Sequence, residues 1–329
     1  MKILVTGAAG FIGSNFIEHI FDNTDFEIVA LDCLNYRGNL ENFPPRVWTS
    51  PRFRFVYGDI CNEILMLKML KDVDYVVNFA AWSFVDRSME NSQDFVRSDV
   101  EGVRCLMEAL RNSDSVRRFI HISSSEVYGT NTSIGLGGMR ETHQLDPKSI
   151  YAAAKCGGDR LARAYYLTHN LPLVIIRPFN NYGPRQFVEN LIPRTISNIF
   201  TGKTIPIFGS GFAKRDWLHV RDTCRGLMMA ITHGKIGEVY NLCTGVATST
   251  SDIVKNIIGI TDEYPEPFTA VIEHLQARPG EVEEHRGSCD KARMELGWTP
   301  TIDLMTGLEK TVDWFYQNMG WWNTRYMHI

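Results

Sequence analysis

The chain has 329 residues, 44% of them hydrophobic and 22% charged, enough apolar material for a large core, which excludes a disordered tail and a disulfide-stapled miniprotein. Its 34 Lys+Arg against 38 Asp+Glu give a formal net charge of -4, so no cationic excess exists to neutralise a nucleic-acid backbone. No stretch approaches the roughly 18 apolar residues of a membrane span, and the amino terminus meets glycines too early for the apolar core of a signal peptide. Seven cysteines without a Cys-x-x-Cys pair lead us to expect reduced thiols in a cytoplasm and no metal site.

Short β-branched runs alternate with amphipathic stretches over the first half, the pattern of βαβ units and a parallel sheet. Strands are predicted at Lys2 to Thr6, Glu27 to Asp32, Arg54 to Tyr57, Tyr75 to Phe79, Arg118 to Ser123 and Leu173 to Arg177. Helices are predicted at Ser14 to Phe21, Ile64 to Leu70, Phe95 to Leu110 and Tyr151 to His169. Right-handed crossovers then give an α/β fold with a Rossmann-type doubly wound parallel sheet. After Arg177 the turn cluster Asn180-Asn181-Tyr182-Gly183-Pro184 opens a smaller carboxy-terminal lobe. Val239 to Leu242 reads as a strand that revisits the first domain, and Leu304 to Tyr316 as a closing helix. The expected division is therefore residues 1–180, revisited near 215–245, against a lobe made mainly of residues 181–329.

The first strand runs into Gly7-Ala8-Ala9-Gly10-Phe11-Ile12-Gly13 and then a helix. Glycines at this spacing permit a tight turn, close approach of a pyrophosphate to backbone N–H groups, and packing of helix on strand. The helix amino terminus adds the positive end of its dipole. Asp32 ends the second strand about twenty residues on, where a carboxylate accepts the adenosine ribose hydroxyls and repels a 2′-phosphate, favouring NAD over NADP. Arg37, a cation close by, is the residue that weighs the other way. Asp59 and Ile60 follow the third strand as candidates for the adenine contact, where a simple turn is the competing reading.

Tyr151 and Lys155, four apart in Tyr-Ala-Ala-Ala-Lys, share one helix face. A neighbouring ammonium stabilises phenolate and brings a tyrosine toward the range of a general base. Just upstream, His121-Ile122-Ser123-Ser124-Ser125-Glu126 ends the fifth strand, and catalytic groups gather at the carboxyl ends of strands in such sheets. Ser124 is placed there to hydrogen-bond the substrate oxygen that Tyr151 deprotonates.

Glycine loop, acidic strand end, serine strand end and Tyr-x-x-x-Lys, in that order, make the chain resemble the extended short-chain dehydrogenases/reductases, the nucleotide-sugar epimerases and dehydratases. Within them it is most similar to dTDP-glucose 4,6-dehydratase-like proteins. The resemblance runs through Leu31 to Leu40, Ala80-Ala81 with Val85-Asp86-Arg87-Ser88, Glu126-Val127-Tyr128-Gly129, Asn180 to Pro184 and Arg215-Asp216-Trp217-Leu218. It implies bound NAD, contacted also by Asn35, Ala80 and Ala81, and a nucleoside diphosphate sugar held by Ser83, Asn180, Asn190, Leu191, Arg215 and Arg278. It implies that Tyr151 takes the proton of the 4-hydroxyl while C4 gives hydride to NAD. Glu126 then removes the proton at C5, water leaves from C6, and the hydride returns to C6. It implies a homodimer formed through helices near Phe95 to Leu110 and Tyr151 to His169.

The departures from the pattern matter as well. Ser125 stands where the dTDP-glucose enzymes resemble one another in having an Asp; the Ser125-Glu126 pair is instead similar to that of GDP-mannose 4,6-dehydratases and UDP-glucuronate decarboxylases, which implies that Glu126 serves as base and acid both. Trp82 and Phe84 replace a Glu and a His, either as core aromatics or as walls that change which hexose fits. Asn190 replaces a Lys, and Asp99 stands where the family usually has an Asn. The implied activity is a 4,6-dehydratase of a UDP- or dTDP-linked glucose or N-acetylglucosamine type sugar. The alternatives are a UDP-glucuronate decarboxylase, for which no cation for the sugar carboxylate is evident, and a 4-epimerase.

Overall fold

The structure is a computed structural model that describes residues 1–130, 137–265, 268–276 and 282–326, without the side chains of 324–326. Six parallel strands form in succession: β1 (Lys2–Thr6), β2 (Glu27–Asp32), β3 (Phe53–Tyr57), β4 (Tyr75–Asn78), β5 (Arg118–Ile122) and β6 (Leu173–Pro178). The chain then makes β7 (Asn180–Tyr182), β8 (Ile205–Phe208) and β9 (Lys214–His219) before returning as β10 (Val239–Leu242). The large sheet has the order β10-β6-β5-β4-β1-β2-β3, all pairs parallel. It is covered on both faces, which is why its strands read as nearly continuous apolar runs. Ile3, Val5, Val77, Ile120 and Ile176 enter one core layer, whereas their chain neighbours Leu4, Val76, Phe119 and Ile175 enter the other, as the period of two requires.

The smaller lobe has its own core, in which Ile192, Ile196, Ile207, Trp217, Ile253, Leu308, Val312 and Phe315 meet. Its short strands are β7, β9, β11 (Ala247–Ser249) and β13 (Glu284–His285) in one sheet, with β8 pairing β12 (Ile272–Leu275) in another. The order of the large sheet reverses between β1 and β4, so a crevice opens above their carboxyl ends. Buried polar side chains tie those ends together: Thr6 Oγ1 donates to Asn78 Oδ1 at 2.6 Å, and Asn78 Nδ2 lies 3.3 Å from His121 Nδ1.

The helix expected from Phe95 to Leu110 is divided. Ser92–Val96 and Gly102–Arg111 are joined by a wide π turn over Arg97–Glu101. The helix Ile150–His169 is one piece, because the Ser149 hydroxyl accepts the Ala152 N–H at its start and Asn170 takes a left-handed conformation at its end. Below it, Arg177 on β6 meets Asp159 through two hydrogen bonds of 2.9 Å.

Candidate active site

The glycine loop is stereochemically tight. Gly7 has φ +63°, and a Cβ there would lie 2.5 Å from the Ala80 nitrogen; one on Gly13 would lie 2.3 Å from the Gly7 carbonyl oxygen. The helix Phe11–Asn23 starts at Gly10 with no side-chain cap, so its first N–H groups face the crevice as an anion site. Asp32 accepts from Ala9 N–H at 2.9 Å and Leu34 N–H at 2.8 Å. Burial pushes its carboxyl up, while the amides of Leu34, Ala9 and Cys33 pull it back. A cradle that any side chain would fill, beside a helix amino terminus and a carboxylate, fits the diphosphate and ribose of NAD. Asn35 shapes the rim by accepting from Arg37 N–H at 3.0 Å, and Asp59 pairs with Arg97 at 2.6 Å.

Every site candidate named above among the described residues lines one cavity of about 1230 Å³, from Gly7 at one end to Arg215 at the other. Arg278 lies outside the described residues. The volume exceeds the roughly 300–1,000 Å³ of a single small-ligand site, as two nucleotides end to end require. Ser124 has two tasks: its Oγ accepts the Glu126 N–H at 3.2 Å, starting the tight turn Ser125–Tyr128 that presents Glu126, and its hydroxyl stands beside the Tyr151 phenol. Contrary to the lowering expected from a neighbouring ammonium, burial pushes Tyr151 well above the ordinary phenol range, and the Asp99 and Glu126 carboxylates add to the rise. The Ser124 hydroxyl and the Arg37 guanidinium act in the opposite direction. Lys155 Nζ donates to the Ile122 carbonyl at 2.7 Å and lies 3.4 Å from Asp99 Oδ1.

Beside Ser83 and Asn190, expected to hold the nucleotide sugar, stands a group that the linear pattern did not reveal. Glu189 receives Arg37 at 2.7 Å on one carboxylate oxygen and Arg87 on the other. Arg37 also donates to Tyr36 Oη at 2.8 Å and Ser83 Oγ at 3.1 Å, with the rings of Tyr36, Phe84 and Phe187 about its guanidinium at 5.0 to 5.4 Å. Arg37 is thereby engaged by Glu189, Tyr36 and Ser83, which removes its pull toward NADP. Trp82 and Phe84 line the cavity and are not core. Phe84 holds φ 98°, a strained conformation for a residue with a Cβ that sets its ring against Arg37. At the far end Arg215 donates to the Val282 carbonyl at 2.7 Å, and Arg194, unremarked in the sequence, joins it on the wall with Pro206 and Phe208.

Comparison with known proteins agrees with this arrangement. Residues 4–311 match the family model described as GDP-mannose 4,6 dehydratase. The low-salt glycan biosynthesis protein Agl12 of Haloferax volcanii is 40% identical over 319 residues, 96% of this chain and 98% of that protein. A dTDP-glucose 4,6-dehydratase of an Actinoplanes species is 40% identical over 329 residues, covering 98% and 100%. Among solved structures, the dTDP-glucose 4,6-dehydratase DesIV of Streptomyces venezuelae, with NAD and TYD bound, superposes with a TM-score of 0.92 at 36% identity over 99% of this chain and 100% of that one. A UDP-glucuronic acid 4-epimerase of Bacillus cereus, with UDP-glucuronic acid and NAD, gives 0.87 at 32% identity over 96% and 99%. The chain belongs to the GDP-mannose 4,6 dehydratase family, within the extended short-chain dehydrogenases/reductases that its motifs resemble.

Proposed function

We propose that the protein is an NAD-dependent nucleotide-sugar 4,6-dehydratase, a lyase acting on a UDP- or dTDP-linked hexose of the glucose or N-acetylglucosamine type. The observation that carries the reading is Glu126 on the same cavity wall as Tyr151 and Lys155, because elimination of water across C5 and C6 needs a base at C5 and 4-epimerisation does not. NAD, when bound, supplies the hydride acceptor for C4 and the donor for C6. Tyr151 Oη takes the proton of the 4-hydroxyl, with Ser124 hydrogen-bonded to the same oxygen. The C4 ketone acidifies C5, and Glu126 removes that proton. The neighbouring group is Ser125, whose hydroxyl is a poor acid, so the protonated Glu126 delivers its proton to the C6 hydroxyl, which leaves as water; as C6 receives hydride, C5 takes up a proton from solvent through Glu126, and Tyr151 releases the one taken from the 4-hydroxyl.

Residues 1–180, with the return near 215–245, hold the cofactor in this reading, and 181–329 hold mainly the nucleotide sugar through Asn180, Asn190, Leu191, Arg215 and Arg278. Homodimer formation is supported by the family resemblance and by exposed Val96 in a shallow groove along Ser92 to Glu101. A cytoplasmic setting is supported by seven free thiols. A second reading, decarboxylation of a UDP-hexuronic acid, is favoured by one observation: Arg37 and Arg87 place cations at the sugar end, two against the single charge of Glu189. Incubation with dTDP-glucose, UDP-glucose, UDP-N-acetylglucosamine, GDP-mannose and UDP-glucuronate, followed by mass spectrometry, separates them. Loss of one water, abolished in Glu126→Gln, is expected; loss of carbon dioxide from UDP-glucuronate alone would replace the first reading by the second.

A further inference from the structure

The helix carrying Tyr151 and Lys155 rests directly on the π turn. A Cβ on Gly158 would lie 2.1 Å from the Asp99 carbonyl oxygen, so the two backbones touch. Widened turns of this kind are frequent at functional sites, and this one carries the buried Asp99 carboxylate. It is 1% exposed, with Oδ1 3.4 Å from Lys155 Nζ and without a hydrogen bond of its own. Oδ2 receives the Ser98 hydroxyl at 3.3 Å. Lys155 meets no other carboxylate among the described residues.

We propose that Asp99 is the counter-ion of Lys155, a positioning residue that pins the ammonium beside the Ile122 carbonyl and cancels part of its field at Tyr151 and at the nicotinamide site. The roles of Tyr151 and Lys155 in this inference rest on the dehydratase reading. The other groups facing the pair do not supply the compensation. His121 on β5 is held neutral, pushed down to about 3 by burial with the Lys155 charge adding to it. The Asp159–Arg177 pair is closed on itself. Glu126 and Arg37 face Tyr151 from the cavity with opposite signs.

Asp99 itself is pushed up by burial, to about 6 even against the pull of Lys155. It is therefore charged at neutral pH and takes up a proton below about pH 6, which leaves the lysine charge uncompensated. The test is Asp99→Asn in the holoprotein. Oxidised nicotinamide is a cation and the reduced ring is neutral, so an unbalanced Lys155 weakens NAD selectively.

At pH 7.5 the ratio of the dissociation constants of NAD and NADH, measured by competition on the holoprotein, is expected to rise about threefold or more. At pH 5, where the parental Asp99 is also protonated, the two proteins are expected to converge. A merely structural role would give no pH-dependent change in the cofactor ratio. Should Asp99→Asn not fold, Asp99→Ser removes the same charge and must give the same shift. An unchanged ratio at pH 7.5 in a folded variant overturns the proposal. A shifted ratio with no turnover of any nucleotide sugar by either protein keeps the counter-ion and discards the dehydratase reading.

Discussion

Replacing Arg177 by Met should strand a buried carboxylate directly beneath the catalytic helix. Arg177 and Asp159 are 1% and 0% exposed, joined by two hydrogen bonds of 2.9 Å, and Arg177 Nη1 donates to Tyr128 Oη at 2.9 Å. Met keeps much of the apolar stem and removes the cation. Breaking one side of such a pair costs about 3–5 kcal/mol, which for a chain of this size lowers Tm by roughly 5–10 °C.

The sign with pH is fixed. Burial alone would raise the Asp159 carboxyl, but the hydrogen bonds and charge of Arg177 outweigh it and hold it below the ordinary range. In the parent this contribution is present above the unfolded carboxylate pKa and is lost only as pH falls through the lowered folded value. In Arg177→Met burial, opposed mainly by the Ser123 hydroxyl, raises the Asp159 carboxyl instead, so the deficit is full at pH 7.5 and shrinks toward pH 5 as the carboxyl is neutralised. Urea unfolding at both pH values measures it, and the double variant Asp159→Leu with Arg177→Met should recover most of the loss. A single-variant deficit below about 1 kcal/mol, or a double variant no better than the single, would refute the argument.

Gly13→Ala brings a Cβ to 2.3 Å from the Gly7 carbonyl; we expect purified variant to carry little NAD by absorbance of the released cofactor, and full cofactor content would contradict the cradle. Tyr151→Phe should keep its NAD while turnover of the accepted nucleotide sugar falls about 10²–10⁴-fold. A fall under about tenfold would move the base elsewhere. Glu189→Gln removes the charge shared by Arg37 and Arg87. Steady-state kinetics should give KM higher by about tenfold with kcat changed much less, whereas a drop confined to kcat would place Glu189 in the chemistry.

Legibility of the fold followed the range of the interactions. The strands of the large sheet were readable because both faces are covered, so each becomes a short β-branched run between turn signals. The glycine loop, Asp32 and the Tyr151–Lys155 pair were readable because their spacing is set within one βα unit or one helix. Glu189 with Arg37 and Arg87, and Asp99 with Lys155, join residues distant in sequence, and no local period marks such a meeting. The π turn escaped because a single widened turn leaves the helical pattern on either side of it intact. Strands β7, β11 and β13 are two or three residues long, too short to build an alternation. Trp82 and Phe84 carried no clue to their setting, since an aromatic side chain suits a cavity wall and a core equally.

The return of β10 to the edge of the large sheet also bears on how the protein is made. β10 pairs with β6 from Val239↔Ile175 to Leu242↔Pro178, and everything from β7 to the helix Val220–His233 is synthesised between them. At about 5–20 residues per second, a ribosome leaves the β6 edge unpaired for several seconds while the nascent chain lengthens. An open, largely apolar strand edge is a template for pairing with another chain. Amino-terminal fragments that stop before Val239 should therefore aggregate, and splitting the gene at the apparent junction between the lobes should yield no soluble cofactor-binding half.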